Sequence, residues 1–196
     1  MEKKRTVREV GKKMNYCDIK EVDIANGEGV RVSLFVSGCT FHCKGCFNKE
    51  TWNFNAGKEF TVTELKKLLE ILDRPYIKGI SVLGGEPLHQ RNREDVMRVL
   101  AVLKSAHPEK SVWLYTGYKY EDIAEMPEYD EIIGLVDVIV DGQFEIDKKS
   151  LDIKFRGSTN QRIIDVKKTI AYDRIEEWKS EYDADRPIKN YTFKYK

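Results

Sequence analysis

Three of the four cysteines in this chain fall within eight residues, as Cys39-Thr40-Phe41-His42-Cys43-Lys44-Gly45-Cys46. Thiolates spaced this closely can converge on one metal centre, and the chain between them must then be a compact loop. A four-iron cluster is usually held by four cysteines. Three protein ligands leave one metal position open, and an open position is where a substrate can bind. A structural zinc ion is the rival, completed by Cys17 or His42. Zinc sites usually draw on paired cysteines or histidines from two places in the chain, and this sequence offers one triplet and no second pair. His42, between two of the cysteines, is poorly placed to reach the same tetrahedral ion.

The rest of the composition narrows the setting. The 34 basic and 33 acidic side chains of the 196 residues leave a formal net charge of +1, without the basic surplus of a general nucleic-acid binder. Lys3, Lys4, Arg5, Arg8, Lys12 and Lys13 cluster at the start and read as a solvated segment. No apolar run approaches the length of a membrane span, and the N-terminus is charged. Clustered cysteines without a secretion signal point to a reducing cytoplasm rather than to disulfides. Cys17, the leftover thiol, reads as buried and inert, with a fourth-ligand role as the alternative.

Strand and helix signals alternate along the chain. Residues 30–37 (VRVSLFVS), 79–83 (GISVL), 111–115 (SVWLY) and 136–140 (VDVIV) read as strands, with 162–166 (RIIDV) as a further one. Thr61 and Glu64 fit a capping box ahead of Leu65, Leu68, Leu69 and Leu72, and residues 93–106 carry Val96, Val99, Leu100 and Leu103 on one helical face. Residues 120–135 read as a helix that Pro127 interrupts, and 173–182 as a terminal helix. This alternation predicts an α/β fold: a partial (β/α) barrel with a mostly parallel sheet and helices on its outer face. With no linker or repeat, it reads as one domain over 1–196. Its core covers about 15–170; residues 1–20 and 185–196 read as peripheral.

Position gives the motifs their weight. The cysteine loop follows the first strand of the series, Gly84-Gly85-Glu86-Pro87 the second, Thr116-Gly117 the third and Asp141-Gly142-Gln143 the fourth. Ligands of α/β barrels and open sheets bind at the C-terminal ends of the strands, so four unusual loops are expected on one rim. Two glycines allow close backbone approach, and Glu86 offers a carboxylate to a cationic amine.

Cys39-x3-Cys43-x2-Cys46 together with Gly84-Gly85-Glu86-Pro87 resembles the radical S-adenosylmethionine superfamily. Cys43-Lys44-Gly45-Cys46-Phe47-Asn48, Tyr115-Thr116-Gly117-Tyr118, Val140-Asp141-Gly142-Gln143-Phe144 and Arg156-Gly157-Ser158-Thr159-Asn160-Gln161-Arg162 are similar to segments of one family within it. That family comprises the activating proteins of anaerobic (class III) ribonucleoside-triphosphate reductases. Most of the superfamily carries an aromatic residue before the third cysteine; Gly45 there, with Phe47 after, is shared with the activating proteins.

The resemblance implies a mechanism. Cys39, Cys43 and Cys46 would hold a [4Fe-4S] cluster whose fourth iron takes S-adenosylmethionine. Reductive cleavage would give a 5′-deoxyadenosyl radical, which takes hydrogen from a glycine of the reductase. Gly84, Gly85 and Glu86 would hold the methionine amine, Thr116 and Gly117 would line the cosubstrate site, and Asp141 and the Arg156 to Arg162 segment would contact the cosubstrate or the incoming glycine loop. The implied partners are the reductase and a low-potential donor such as reduced flavodoxin, with no nucleic acid or membrane. The alternatives are a radical enzyme acting on a small molecule, as in deazapurine synthesis, an activase of another glycyl radical enzyme, a small ferredoxin that uses Cys17, and a zinc-stabilised interaction domain.

Overall fold

A computed structural model describes residues 13–180. Seven strands form one sheet in the order β3-β1-β2-β4-β5-β6-β7. They are β1 (Asn15–Asp23), β2 (Val30–Val36), β3 (Lys58–Glu59), β4 (Ile77–Gly84), β5 (Ser111–Tyr115), β6 (Val138–Asp141) and β7 (Arg162–Asp165). The pairings β2–β4, β4–β5 and β5–β6 are parallel, whereas β1–β2, β1–β3 and β6–β7 are antiparallel.

The sheet is thus mixed, which corrects the expectation of a mostly parallel partial barrel of the radical S-adenosylmethionine type. Parallel neighbours need a long crossover, usually a helix, whereas antiparallel neighbours do not. A short turn joins β1 to β2, and the connection from β6 to β7 contains only a 3₁₀ turn (Ile146–Lys148), so both pairs fold back on themselves. Helices are few. Among the described residues only α1 (Val62–Leu72) and α2 (Arg93–Ala106) reach eleven residues; α3 (Tyr120–Ala124), α4 (Asp130–Ile133) and α5 (Val166–Tyr172) are short. Pro127 opens a 3₁₀ turn between α3 and α4, which divides the expected helix over 120–135. Residues 15–20 belong to β1 rather than to a peripheral segment. Asp173 caps α5 in the left-handed conformation, and residues 174–180 contain no helix. The remainder of the expected terminal helix, residues 185–196 and the basic cluster up to Lys12 lie outside the described residues.

Local chemistry accounts for the helices that form. Thr61 Oγ1 accepts from the Thr63 amide at 3.2 Å, and the Glu64 carboxylate accepts from the Thr61 amide at 2.8 Å, closing the capping box. Leu68, Ile71 and Leu72 of α1 and Val96, Val99, Leu100 and Leu103 of α2 then bury against one face of the sheet. That face carries Val32, Leu34, Ile80, Val82, Val112, Leu114 and Ile139. Alternation along the strands sends their neighbours, including Arg31, Phe35, Ser81, Leu83, Trp113 and Tyr115, to the other face. Among the described residues no helix is long and apolar enough to cross a membrane.

Arg31 is the unusual member of this second face, since it is 1% exposed and its hydrogen bonds among the described residues go to hydroxyls and carbonyls. Its guanidinium donates to Ser81 Oγ (2.8 Å), Ser111 Oγ (2.9 Å) and the carbonyls of Ile80 (2.7 Å) and Ser111 (2.8 Å). It also lies 5.5 Å from the Trp113 ring. Burial lowers its pKa to about 10, which leaves it charged at neutral pH. It laces β2, β4 and β5 at the end away from the cysteine loop. Replacing Arg31 by Met strands several buried acceptors, so urea denaturation is expected to show a loss of about 3 kcal/mol in unfolding free energy. A change under about 0.5 kcal/mol would contradict this network's role.

Candidate active site

Past the C-terminal ends of β2, β4, β5 and β6 lies a cleft of about 410 Å³. Its wall includes Cys39, Cys43, Cys46, Gly84, Gly85, Glu86, Thr116 and Gly117. Three of the four loops expected on one rim thus meet through their predicted residues. The fourth contributes Gly142, Gln143 and Phe144, but not Asp141.

The cysteine loop is anchored at both ends. Gly38 N–H donates to the Thr51 carbonyl (2.6 Å), and Cys39 N–H donates to the Trp52 carbonyl (3.0 Å). Inside the loop the Asn48 amide donates to Cys46 Sγ at 3.4 Å. Gly45 adopts φ +76°, a left-handed conformation that glycine enters without strain, and this explains the glycine before the third cysteine. Cys39, Cys43 and Cys46 are half-buried and unpaired. Burial pushes the Cys39 thiol up to about 11 and raises Cys43 as well.

These donors fit a cluster better than a single ion. Among the described residues, no three His, Cys, Asp or Glu side chains are grouped closely enough to hold one metal ion. A zinc ion would require that convergence. A four-iron cluster asks each thiolate for a different iron, so thiols spread along one cleft wall suit it. Cys17 stands apart, with its Sγ 3.2 Å from Ser37 Oγ and outside the cleft lining. His42 stacks on Trp52 at 4.6 Å and also lies outside the lining.

The glycine turn meets the cysteine loop backbone to backbone. Gly85 N–H donates to the Val36 carbonyl and Glu86 N–H to the Gly38 carbonyl, both at 2.7 Å. A Cβ added at Gly85 would collide with the Gly38 carbonyl, so the second glycine is required for contact within the protein. Glu86 is 1% exposed. Its carboxylate, expected from sequence to face a cationic amine, accepts from the Leu88 amide (2.9 Å), the Thr116 hydroxyl (2.9 Å) and the Gly117 amide (2.8 Å). Burial raises Glu86 to about 7, although those three donors pull the other way. Glu86 therefore braces the turn after β4 against the turn after β5.

Asn92, which the sequence reading missed, completes this brace. Although it precedes α2, it does not cap the helix; its side-chain amide donates to the carbonyls of Ser37 (2.9 Å) and Glu86 (3.0 Å). The only sequence signal was an asparagine at the start of a helix, which ordinarily reads as a cap.

Asp141, expected among the cosubstrate contacts, is likewise turned inward. It is 1% exposed, accepts from the Tyr120 amide at 2.9 Å and is paired with Arg162. Arg162 also grips Glu121 at 2.7 and 2.6 Å. The neighbouring loop does reach the cleft, through Arg156, Gly157 and Gln161. Gln161 accepts from Gly157 N (2.9 Å) and donates to the Gly142 carbonyl (2.9 Å), while Asn160 donates to the Gln143 carbonyl (2.8 Å). Two polar atoms of cleft-lining residues, Tyr115 Oη and Arg156 Nε, are buried without a hydrogen-bond partner. Lys20, Phe35, Leu83 and Phe155 also line the cleft, and no motif in the sequence marked them.

A family model described as a 4Fe-4S single cluster domain matches residues 25–164. The anaerobic ribonucleoside-triphosphate reductase-activating protein of Enterobacteria phage T4 is 45% identical over 152 residues, 76% of this chain and 93% of that protein. Its counterpart in Escherichia coli (strain K12) is 41% identical over 152 residues, 76% of this chain and 96% of its own. The chain belongs to this family of activating proteins. A further member from Vibrio cholerae, 37% identical over 153 residues, is matched over 97% of its length and 76% of this chain.

The brace has a consequence for this activating protein that can be measured without any bound group. Glu86→Gln would point an amide N–H₂ at a backbone donor, and is expected to lower the urea-unfolding free energy of the cluster-free protein by about 2 kcal/mol. A carboxylate whose only role is to face a ligand would leave that stability unchanged.

Proposed function

We propose that the protein holds a [4Fe-4S] cluster on Cys39, Cys43 and Cys46, binds S-adenosylmethionine beside it, and generates a glycyl radical on an anaerobic ribonucleoside-triphosphate reductase. One observation carries this reading: the three thiols and the Gly84–Gly85 turn line the same cleft. A reduced cluster bound there would supply the electron that cleaves the sulfonium C–S bond, giving the 5′-deoxyadenosyl radical that takes hydrogen from a glycine of the reductase.

The chain's own residues bind, orient and exclude water. Three thiolates for four irons leave one iron to a small chelating ligand. With Glu86 committed to its brace, the methionine amine would meet the backbone of Gly84 and Gly85 rather than the carboxylate. Thr116 and Gly117 form the adjoining wall, beside the Phe41 ring that stacks edge-on with Tyr118 at 5.0 Å. Tyr115 Oη and Arg156 Nε, buried and unpartnered, are donors for acceptor oxygens of the ligand. Asp141 acts at a distance, by holding Arg162. Phe35, Leu83 and Phe155 give the cleft apolar walls that shield a reactive intermediate from water. The electron would come from a low-potential donor such as reduced flavodoxin, in the cytoplasm, where free thiols persist.

The test is anaerobic. Reconstituted, reduced protein mixed with S-adenosylmethionine and the reductase is expected to give a glycyl radical signal by electron paramagnetic resonance. Cys39→Ser, Cys43→Ser and Cys46→Ser should each bring bound iron close to background and abolish the signal, whereas Cys17→Ser should retain both. Cleavage of S-adenosylmethionine with no radical on the reductase would instead indicate a radical enzyme with a small-molecule substrate.

A further inference from the structure

Residues 174–180 follow α5 along the outer edge of β7. Asp165 N–H donates to the Glu176 carbonyl (2.9 Å), Trp178 N–H donates to the Ile163 carbonyl (2.8 Å), and Glu177 bridges antiparallel to Ile164. The segment lies beyond residues 25–164, where the family model matches. It carries Trp178 onto the cleft-side face of the sheet. There the indole meets Trp113 edge-on at 4.9 Å and Phe155 at 6.2 Å, while Trp113 and Phe155 meet at 5.4 Å.

Phe155 is the link to the site. It lines the cleft and adopts φ +59°, a left-handed conformation that strains a residue with a β-carbon. Such a conformation persists only where its surroundings hold it. The holding contacts are the two indole rings, one from the sheet and one from the C-terminal segment. The next two residues, Arg156 and Gly157, form cleft wall, and Arg156 carries the unpartnered Nε. The loop over 142–161 has little regular structure of its own, so its path depends on such anchors.

We propose that Trp178 is a positioning residue: by gripping Phe155 it fixes residues 155–157 as cleft wall and so sets the affinity for S-adenosylmethionine. This rests on the functional reading above. Among the described residues Trp178 makes no ring contact with the cysteine loop, but Gly157 lies against Phe47, so the affinity is read per bound cluster.

The test compares Trp178→Ala and Trp178→Phe with the unaltered protein. In reconstituted protein, equilibrium dialysis should show the Kd for S-adenosylmethionine rising about tenfold in Trp178→Ala, the scale of one lost hydrogen bond to a charged group. Trp178→Phe, which keeps an aromatic edge, should stay within about threefold of the unaltered protein. Iron bound per chain is measured in all three, and each Kd is taken per cluster-loaded chain. In cluster-free protein, the near-ultraviolet circular dichroism of the indole pair should weaken in Trp178→Ala, and trypsin should cut after Arg156 faster. Should Trp178→Ala not stay folded, Trp178→Leu, which keeps apolar volume without a ring, carries the same comparison. Equal affinity and equal proteolysis in Trp178→Ala and the unaltered protein would overturn the inference alone. Absence of S-adenosylmethionine binding by the unaltered, iron-loaded protein would overturn the functional reading and this inference with it.

Discussion

The site depends on one buried carboxylate. Glu86 takes hydrogen bonds from Leu88, Thr116 and Gly117, while its own amide reaches the Gly38 carbonyl at the root of the cysteine loop. Through this residue the ends of β2, β4 and β5 become one rigid rim. Asn92 repeats the linkage from α2 with two further hydrogen bonds. Removing a carboxylate from water is costly, and three donors offset much of that cost. The cost is tolerated where it fixes the cysteine loop against the turn beside it.

The sheet supplies this rim with two unlike faces. One is an apolar core shared with α1 and α2; the other carries Arg31 on β2 and Trp113 and Tyr115 on β5. At one end of that second face the Arg31 network closes the fold, and the aromatic group around Trp113 runs from there to the cleft through Phe155. At the other end the cleft opens beneath the cysteine loop. The aromatic group is therefore shared between fold and site, and the cleft keeps its buried, unpartnered donors beside it.

The legible parts of the sequence were those with local causes. The capping box at Thr61, the apolar strands from Val30 to Val140 and the break at Pro127 each follow from a few adjacent residues. The cysteine triplet and Gly84-Gly85 were legible as a site because each follows a strand. Strand direction was not legible, since an alternating pattern suggests crossovers and says nothing of the turns that fold β1 and β7 back. Nor did composition show which acids are committed inside the protein. Glu86 and Asp141 look like ligand groups in the sequence, and only the fold shows that backbone amides and Arg162 occupy them. Trp178 escaped notice because its partners, Trp113 and Phe155, are distant along the chain.

The central claim is that three thiols and a neighbouring turn leave one iron of a cluster open to S-adenosylmethionine. Mössbauer spectroscopy of the iron-reconstituted protein, recorded before and after adding S-adenosylmethionine, tests it most directly. The account predicts that one iron in four changes its signal on addition, and that Cys17→Ser behaves in the same way. Four irons indifferent to S-adenosylmethionine, with the cluster lost in Cys17→Ser, would mean a fourth protein ligand and would contradict it.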